Sequence, residues 1–399
     1  MKTILILSQY YHPDISATGQ VLTQLTEDIA NKHGNQVKVL TGQPAYHRDS
    51  NDISSNKETI NNVEIIRTNY LRLNKKTNLR RLVGFFSFFI AILIKLPFVG
   101  KFDTIVIVSN PPMLPIIGHF LKKVRKVNFI FLLHDLYPDV ALRMGVTHEQ
   151  SMMTKVMNWI NKRVFKSADH IVVLGRDVKK LIEDKGVDSS KVSIITNWAD
   201  KLVIDKESRT DMLKKLNIEG KFVVLYTGNI GLIYDLEYII ESVGKLKDLH
   251  NICLVIIGEG NNKENLKEIV QDKKIANIYF YPYQPKEEYG KLLKSADVLL
   301  VALANGMEGI SIPSKSYGYL AAGKPLLGIL PENSEIGMVI RENNCGIQVN
   351  PRDIEGIEQA IRILYSNQDL RESMGTNSRN IFEEKYQREH VTAKFIKLL

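Results

Sequence analysis

Cysteine is nearly absent: Cys253 and Cys345 are the two in 399 residues, far apart and each in an apolar, strand-like context. That excludes a disulfide scaffold and fits a chain kept in a reducing cytoplasm with both thiols buried. No Asp-x-Asp pair, His-Glu-x-x-His or Cys-x-x-Cys occurs, so the sequence offers no metal site. The dinucleotide fingerprint G-x-G-x-x-G is missing too, which disfavours a nicotinamide or flavin enzyme. No run reaches 18 apolar residues, so no membrane-spanning helix is predicted. The start, Met1–Ser8, has too short an apolar run for a signal peptide and reads as a first strand. Acid is scarce in one region: from Ile65 to His134 only Asp103 is acidic, among many lysines and arginines.

What is present is ordinary for a globular protein, with 44% hydrophobic and 24% charged residues, and the length suggests two domains. The net charge of +9 and a pI near 9.2 favour an anionic partner. Short apolar strands alternate with amphipathic helices throughout, the pattern of a parallel sheet covered by helices on both faces. In the first half the predicted strands are Thr3–Leu7, Gln36–Leu40, Val63–Thr68, Thr104–Val108, Asn128–Leu133, His170–Leu174 and Val192–Ile195. After a charged stretch, Lys201–Lys221, the pattern restarts with Phe222–Tyr226, Cys253–Ile257, Ile278–Tyr281, Val298–Ala302 and Leu326–Leu330. The fold class is therefore α/β, with two doubly wound domains whose ligand crevice lies at the carboxyl ends of the strands, between the halves.

The most informative stretch is Gly309–Pro325. A glycine-containing loop runs into Pro313 and Ser314, a helix start, and the helix stops at Gly323. Such a loop and helix N-terminus offer backbone N–H groups and a positive dipole end to an anion. Lys315 stands in the first turn, where the dipole alone would prefer an acid. The residues support two readings: a ligand phosphate beside Lys315, or a surface lysine on an ordinary loop helix.

Three other places could carry chemistry. Gly19, between the first strand and first helix, lets the backbone come close to a ligand. His134 and Asp135 follow the strand Asn128–Leu133, where an imidazole can exchange a proton or hold a hydroxyl and a carboxylate can orient it. Thr227-Gly-Asn-Ile-Gly231 and Gly258-Glu-Gly260 follow two strands of the second half, where glycines let amides face a phosphate. Separately, thirteen nearly all-apolar residues, Leu82–Ile94, lie between Arg80-Arg81 and Lys95. They are too few to span a bilayer. They suit a helix in the membrane interface, with Phe85, Phe86, Phe88 and Phe89 immersed and the cations on anionic headgroups, or else a buried helix of the domain. Nucleic acid fits less well, because the aromatics form one block and are not interleaved with the charges.

In order, these pieces resemble the retaining GT-B glycosyltransferases of family 4, and within them the bacterial O-antigen and capsule group of fucosamine and colanic acid transferases. The resemblance rests on Ser8–Asp14 with Gly19, Leu133–Asp139, Thr227–Gly231, Gly258–Gly260 and Ile312–Pro325, and covers essentially the whole chain. It implies an acceptor-binding Rossmann-like domain over 1–200, a nucleotide-sugar-binding one over 201–386 and a helix over 387–399 that returns to the first. It further implies transfer of a sugar, such as N-acetyl-L-fucosamine, from a UDP-linked donor to a glycan on undecaprenyl diphosphate. The configuration is retained, no metal or cofactor is needed, and the site is the inner face of the cytoplasmic membrane. By position, His134 and Asp135 are catalytic, and Gly19, Asn229, Gly231, Gly258, Glu308, Gly309, Pro313, Ser314, Lys315 and Tyr317 bind the donor. The family's usual Glu-x7-Glu pair falls on Ile310 and Gly318, and its usual loop Arg and Lys fall on Asn229 and Tyr234. Lys315 is then the candidate counter-charge. Two rivals share the design: a GT-B nucleotide-sugar 2-epimerase, and an inactive homologue that serves as a binding or assembly subunit.

Overall fold

A computed structural model describes residues 2–14, 16–44, 55–72, 78–200 and 208–399. Part of the charged stretch read as a boundary, residues 201–207, lies outside the described residues. The chain divides into two units, residues 1–196 with 391–399, and residues 197–390.

The first unit runs β1 (Thr3–Leu7), α1 (Ala17–His33), β2 (Gln36–Gly42), β3 (Lys57–Ile60), β4 (Val63–Thr68), α2 (Asn78–Lys95), β5 (Thr104–Val108), α3 (Ile116–Arg125), β6 (Asn128–Leu133), α4 (Asp139–Arg143), α5 (Met152–Ser167), β7 (His170–Val173), α6 (Arg176–Asp184) and β8 (Val192–Ile194). Its sheet has the order β3-β4-β2-β1-β5-β6-β7-β8, parallel except for β3. The inner strands are apolar because helices cover both of their faces; β5 is buried at every residue. The edge strand β3, Lys-Glu-Thr-Ile, alternates instead between exposed and half-buried positions. It was not predicted, since a short charged edge lacks the apolar signal.

The second unit runs α7 (Ser208–Lys215), β9 (Phe222–Thr227), α8 (Leu236–Lys245), β10 (Ile252–Ile257), α9 (Lys263–Asp272), β11 (Ile278–Tyr281), α10 (Tyr289–Ser295), β12 (Val298–Ala302), α11 (Lys315–Ala322), β13 (Leu326–Ile329), α12 (Glu335–Glu342), β14 (Gly346–Val349), α13 (Ile354–Ser366) and α14 (Gln368–Ile381). Its sheet is parallel throughout, in the order β11-β10-β9-β12-β13-β14. The pair α12–β14 was not predicted either. In each sheet the strand order reverses once, between β1 and β5 and between β9 and β12. Loops separate at such a point and leave a crevice beyond the carboxyl ends of the strands.

The last helix, α15 (Arg388–Ile396), contributes its residues from Val391 onward to the first unit. There Thr392 Oγ1 donates to the buried Asp28 Oδ2 of α1 at 2.9 Å, and Asn128 Nδ2 donates to the Leu398 carbonyl at 3.4 Å. Thr392→Val removes the donor and keeps the shape, leaving a buried carboxylate short of a hydrogen bond. The cost is expected at about 1–3 kcal/mol in denaturant unfolding of the first unit; an unchanged midpoint would show that the contact contributes nothing.

Candidate active site

In the second unit, backbone packs on backbone. A Cβ at Gly258 would lie 1.8 Å from the Gly228 carbonyl oxygen, and one at Gly260 would lie 2.1 Å from that of Ile230. Any side chain there would force the two loops apart. The Gly228 amide donates to Ile257 O at 2.8 Å, the Ile230 amide to Glu259 O at 2.9 Å, and the Gly258 amide to Tyr281 O at 3.0 Å. The expected role of Gly258 is thereby corrected: its missing side chain admits the neighbouring loop, and its amide is committed to the sheet. Between those anchors, Asn229 and Gly231 carry the alternate amides of the loop.

Two tyrosines fix this loop from beneath. Tyr226 Oη donates to the Asn229 carbonyl at 2.7 Å, and the fully buried Tyr319 accepts from the Thr227 amide at 2.9 Å. Lys315, at the start of α11, reaches over them. Its stem keeps some exposure, but its ammonium is buried and has no hydrogen-bond partner among the described residues. Nζ sits 3.5 Å from the Tyr226 ring centroid and 4.8 Å from that of Tyr234. A Cβ at Gly228 would be 3.3 Å from it. Aromatic faces attract a cation but do not replace its hydration, so burial drives the lysine pKa well below its ordinary value. A ligand anion would supply what is missing. The sequence singled out Lys315; it did not reveal Tyr226 and Tyr234 as its support.

The other donor-site expectations scatter around this centre. Pro313 is buried and Ser314 half-buried at the N-cap of α11, and Gly309 holds φ 72°, a conformation few side chains tolerate. Glu308 has a buried Oε2 without a hydrogen-bond partner and lines a cavity of about 380 Å³ beyond β12, β13 and β14 with Asn305, Glu332, Asn333 and Asn350. Amides and carboxylates without a cation suit hydroxyl groups better than a phosphate. Tyr317 corrects another expectation: it is 1% exposed and its ring lies 5.1 Å from that of Tyr386, in the core. Its ring, carried by α11, packs inward on Tyr386.

In the first unit the residues meet at the reversal between β1 and β5. Ser109 Oγ, just past β5, accepts from the amides of His134 at 3.1 Å and Asp135 at 2.9 Å. Thr18 Oγ1, in the first turn of α1, lies 3.5 Å from His134 Nδ1. Neither Ser109 nor Thr18 was singled out in the sequence; a hydroxyl just beyond a strand at the reversal was the available signal. Gly19 differs from expectation as well: its amide donates to Ser16 Oγ at 3.2 Å as part of the cap of α1, and a Cβ there would press on Asp14 and Ser16. Burial lowers the His134 pKa to about 4 and raises that of Asp135 to about 6. At neutral pH the pair is a neutral imidazole beside a carboxylate.

The membrane-contact set divides. On α2, Phe88 is fully buried and its ring stacks edge-on with Tyr70 at 5.2 Å, so it leaves the set. Phe86 is 57% exposed, Phe85 and Phe89 are half-buried, Arg80 and Arg81 are exposed and Lys95 is half-buried. The apolar stretch is longer than the thirteen residues expected: Arg80–Phe98 is long and apolar enough to cross a membrane by length and composition. Topology argues against crossing. α2 connects β4 and β5 of one parallel sheet, so its axis is tied to that sheet.

Two family models cover the chain in succession, Glycosyltransferase Family 4 over residues 18–201 and Glycosyl transferases group 1 over residues 208–381. The chain belongs to the family 4 glycosyltransferases of GT-B fold. This glycosyltransferase is 28% identical over 287 residues to the probable glycosyltransferase WbjE of Pseudomonas aeruginosa, covering 71% of each chain. It is 23% identical over 410 residues to the putative colanic acid biosynthesis glycosyl transferase WcaI of Escherichia coli K12, covering 98% of each. Among solved structures, Anabaena Alr3699/HepE in complex with UDP and glucose matches with a TM-score of 0.74 at 11% identity, over 100% of this chain and 99% of that one.

The His134 imidazole of the glycosyltransferase is expected to titrate near pH 4 by NMR. The unfolded chain takes up that proton first, so stability linked to His134 falls as pH drops from 6.5 through about 4. Asp135 has the opposite sign: its contribution is lost as pH rises from 3.8 through about 6. A His134 resonance that titrates at its ordinary pH would overturn this picture of the pair.

Proposed function

We propose that this glycosyltransferase moves a sugar from a UDP-linked donor to a glycan acceptor carried on a membrane lipid, with retention of configuration and no metal ion, in the synthesis of an O-antigen or capsular polysaccharide. The observation that carries the reading is the buried Lys315 ammonium, held on two tyrosine faces beside Gly228 with no hydrogen-bond partner among the described residues. As the bond from the anomeric carbon to the diphosphate breaks, negative charge grows on the leaving oxygen. Lys315, the amides of Asn229 and Gly231 and the N-terminus of α11 form a preorganised electrostatic site for that charge. Glu308 and the polar cavity beside it take sugar hydroxyls. His134, neutral at pH 7, holds a hydroxyl as donor or acceptor, and the Asp135 carboxylate orients the acceptor.

The UDP and glucose named for the HepE structure support a nucleotide-sugar donor, and the colanic acid role named for WcaI supports a polysaccharide product. A deoxy-amino sugar such as N-acetyl-L-fucosamine remains the proposed cargo on family resemblance. The lipid-linked acceptor is favoured over a soluble one by α2, whose outer side shows Phe86, Ile90, Leu93 and Ile94 to solvent next to Arg80, Arg81 and Lys95. An epimerase acting on free nucleotide sugar has no use for such a surface.

Incubation with membranes and radiolabelled UDP-sugars is expected to place label in the lipid extract; no transfer from any UDP-, GDP- or dTDP-sugar would sink the reading. Lys315→Ala is expected to weaken UDP binding about ten- to a hundredfold, the range of about 1.5–3 kcal/mol for a charge-assisted hydrogen bond. Thermal shift with UDP measures it, and wild-type affinity would return Lys315 to a structural role.

A further inference from the structure

The helix α2 alone does not account for where the first unit exposes its apolar groups. Among the described residues of that unit, every strongly exposed large apolar side chain lies on α2, α3 or α5 or on a segment leading into or out of them. On α3, Phe120 is 55% and Val124 80% exposed. On α5, Met152, Val156 and Trp159 follow at spacings of four and three and are 77%, 47% and 47% exposed, one stripe on the helix. The second unit shows only Leu232, Tyr283 and Ile363 in this class among its described residues.

Topology places the three helices on one side. The crossover from β1 to β2 runs toward one edge of the sheet, while those from β4 to β5, β5 to β6, β6 to β7 and β7 to β8 run toward the other. Right-handed crossovers put α1 on one face and α2, α3 and α5, with α6 at the far β8 edge, on the opposite face. Charge separates these three helices from their neighbours. None of α2, α3 and α5 contains an aspartate or glutamate. α3 carries Lys122, Lys123 and Arg125, and α5 carries Lys155, Lys162, Arg163 and Lys166. By contrast α1 on the other face has Glu27 and Asp28, and α6, at the β8 edge of the same face, has Asp177, Glu183 and Asp184 and bounds the acid-free patch. Arg163 stands 3.6 Å over the Trp159 ring, so this indole is presented at the surface with a cation against it.

We propose that the α2, α3 and α5 side of the first unit is one bilayer-contact face, with Trp159 and Met152 seated in the interfacial layer of an anionic membrane and the cations of α3 and α5 on its headgroups. This rests on the reading of the chain as a membrane-surface glycosyltransferase and extends the contact beyond α2. An indole with a basic rim suits the boundary between acyl chains and headgroups. A second copy of the chain fits poorly: a two-fold contact through this face would set its cations against themselves. A broad face also fixes the tilt of the unit on the membrane, which one helix leaves loose.

The test uses the chain's two tryptophans. Trp198→Phe leaves Trp159 as the sole emitter; if that variant fails to fold, the wild type serves, with buried Trp198 as a constant background. On phosphatidylglycerol–phosphatidylcholine vesicles, Trp159 emission is expected to shift to the blue and to lose roughly half its intensity when the acyl chains are brominated near the headgroup. Lys155→Gln with Lys162→Gln is expected to weaken partitioning at least about fivefold. Co-sedimentation with the Trp159 emission unmoved would overturn the broad face while leaving α2 as the anchor; no co-sedimentation would overturn both. A blue shift without vesicles, rising with protein concentration, would assign the face to a second copy.

Discussion

A lysine ammonium enclosed with no hydrogen-bond partner among the described residues is the constraint around which the second unit is arranged. Removing an ammonium from water is costly unless something replaces its hydration. Here two tyrosine rings attract it without replacing that hydration, and the loop Thr227–Gly231 is held beside it by Tyr226 and Tyr319. The glycines follow from the same demand for close approach. Gly228, Gly258 and Gly260 let two loops touch backbone to backbone, which spends three amides on structure and leaves a narrow, rigid edge beneath Lys315. Rigidity matters because electrostatic stabilisation of a leaving group works only when the groups need not reorganise.

The first unit solves the complementary problem with neutral parts. Ser109 anchors the backbone at His134 and Asp135, so both side chains are positioned at the strand-order reversal without a charged partner. Burial lowers the imidazole pKa to about 4 and raises that of the carboxyl to about 6, so at pH 7 the imidazole is neutral and the carboxylate stays ionised in spite of its burial. Its positive charge lies elsewhere, on helices that carry no acid at all. One unit thus keeps a cation buried beside a glycine loop, and the other spreads cations over an apolar surface.

Much of this was legible in the sequence. Strands β1, β5, β6 and β12 fall on their predicted limits because a buried parallel strand is a bare apolar run between turn residues, and β4 and the edge strand β11 match theirs as well. The edge strands β3 and β14 are short and partly exposed, and their composition does not separate them from loops. At the site, Lys315 was visible as a cation where a helix dipole disfavours one. Its tyrosine support was not, because Tyr226 ends a strand and reads as core while Tyr234 lies in a loop. Glycine was misjudged for a physical reason: the need for a missing Cβ can be sensed, but whether the space admits a ligand or another loop depends on tertiary contacts. Phe88 and Tyr317 turned inward for a similar reason, since aromatic residues on a helix serve the core or the surface according to the face they occupy. The α3 and α5 surface escaped notice because it joins residues some forty positions apart, which only the crossovers bring to one side.

The central claim is that Lys315 awaits a diphosphate. An anion beside it would restore its ordinary affinity for a proton, so nucleotide binding must be linked to proton uptake. Calorimetric titration with UDP near about pH 8, in buffers of different ionisation heat, measures that uptake directly. The account predicts net proton uptake by the wild type and less by Lys315→Met; equal uptake by both proteins would contradict it.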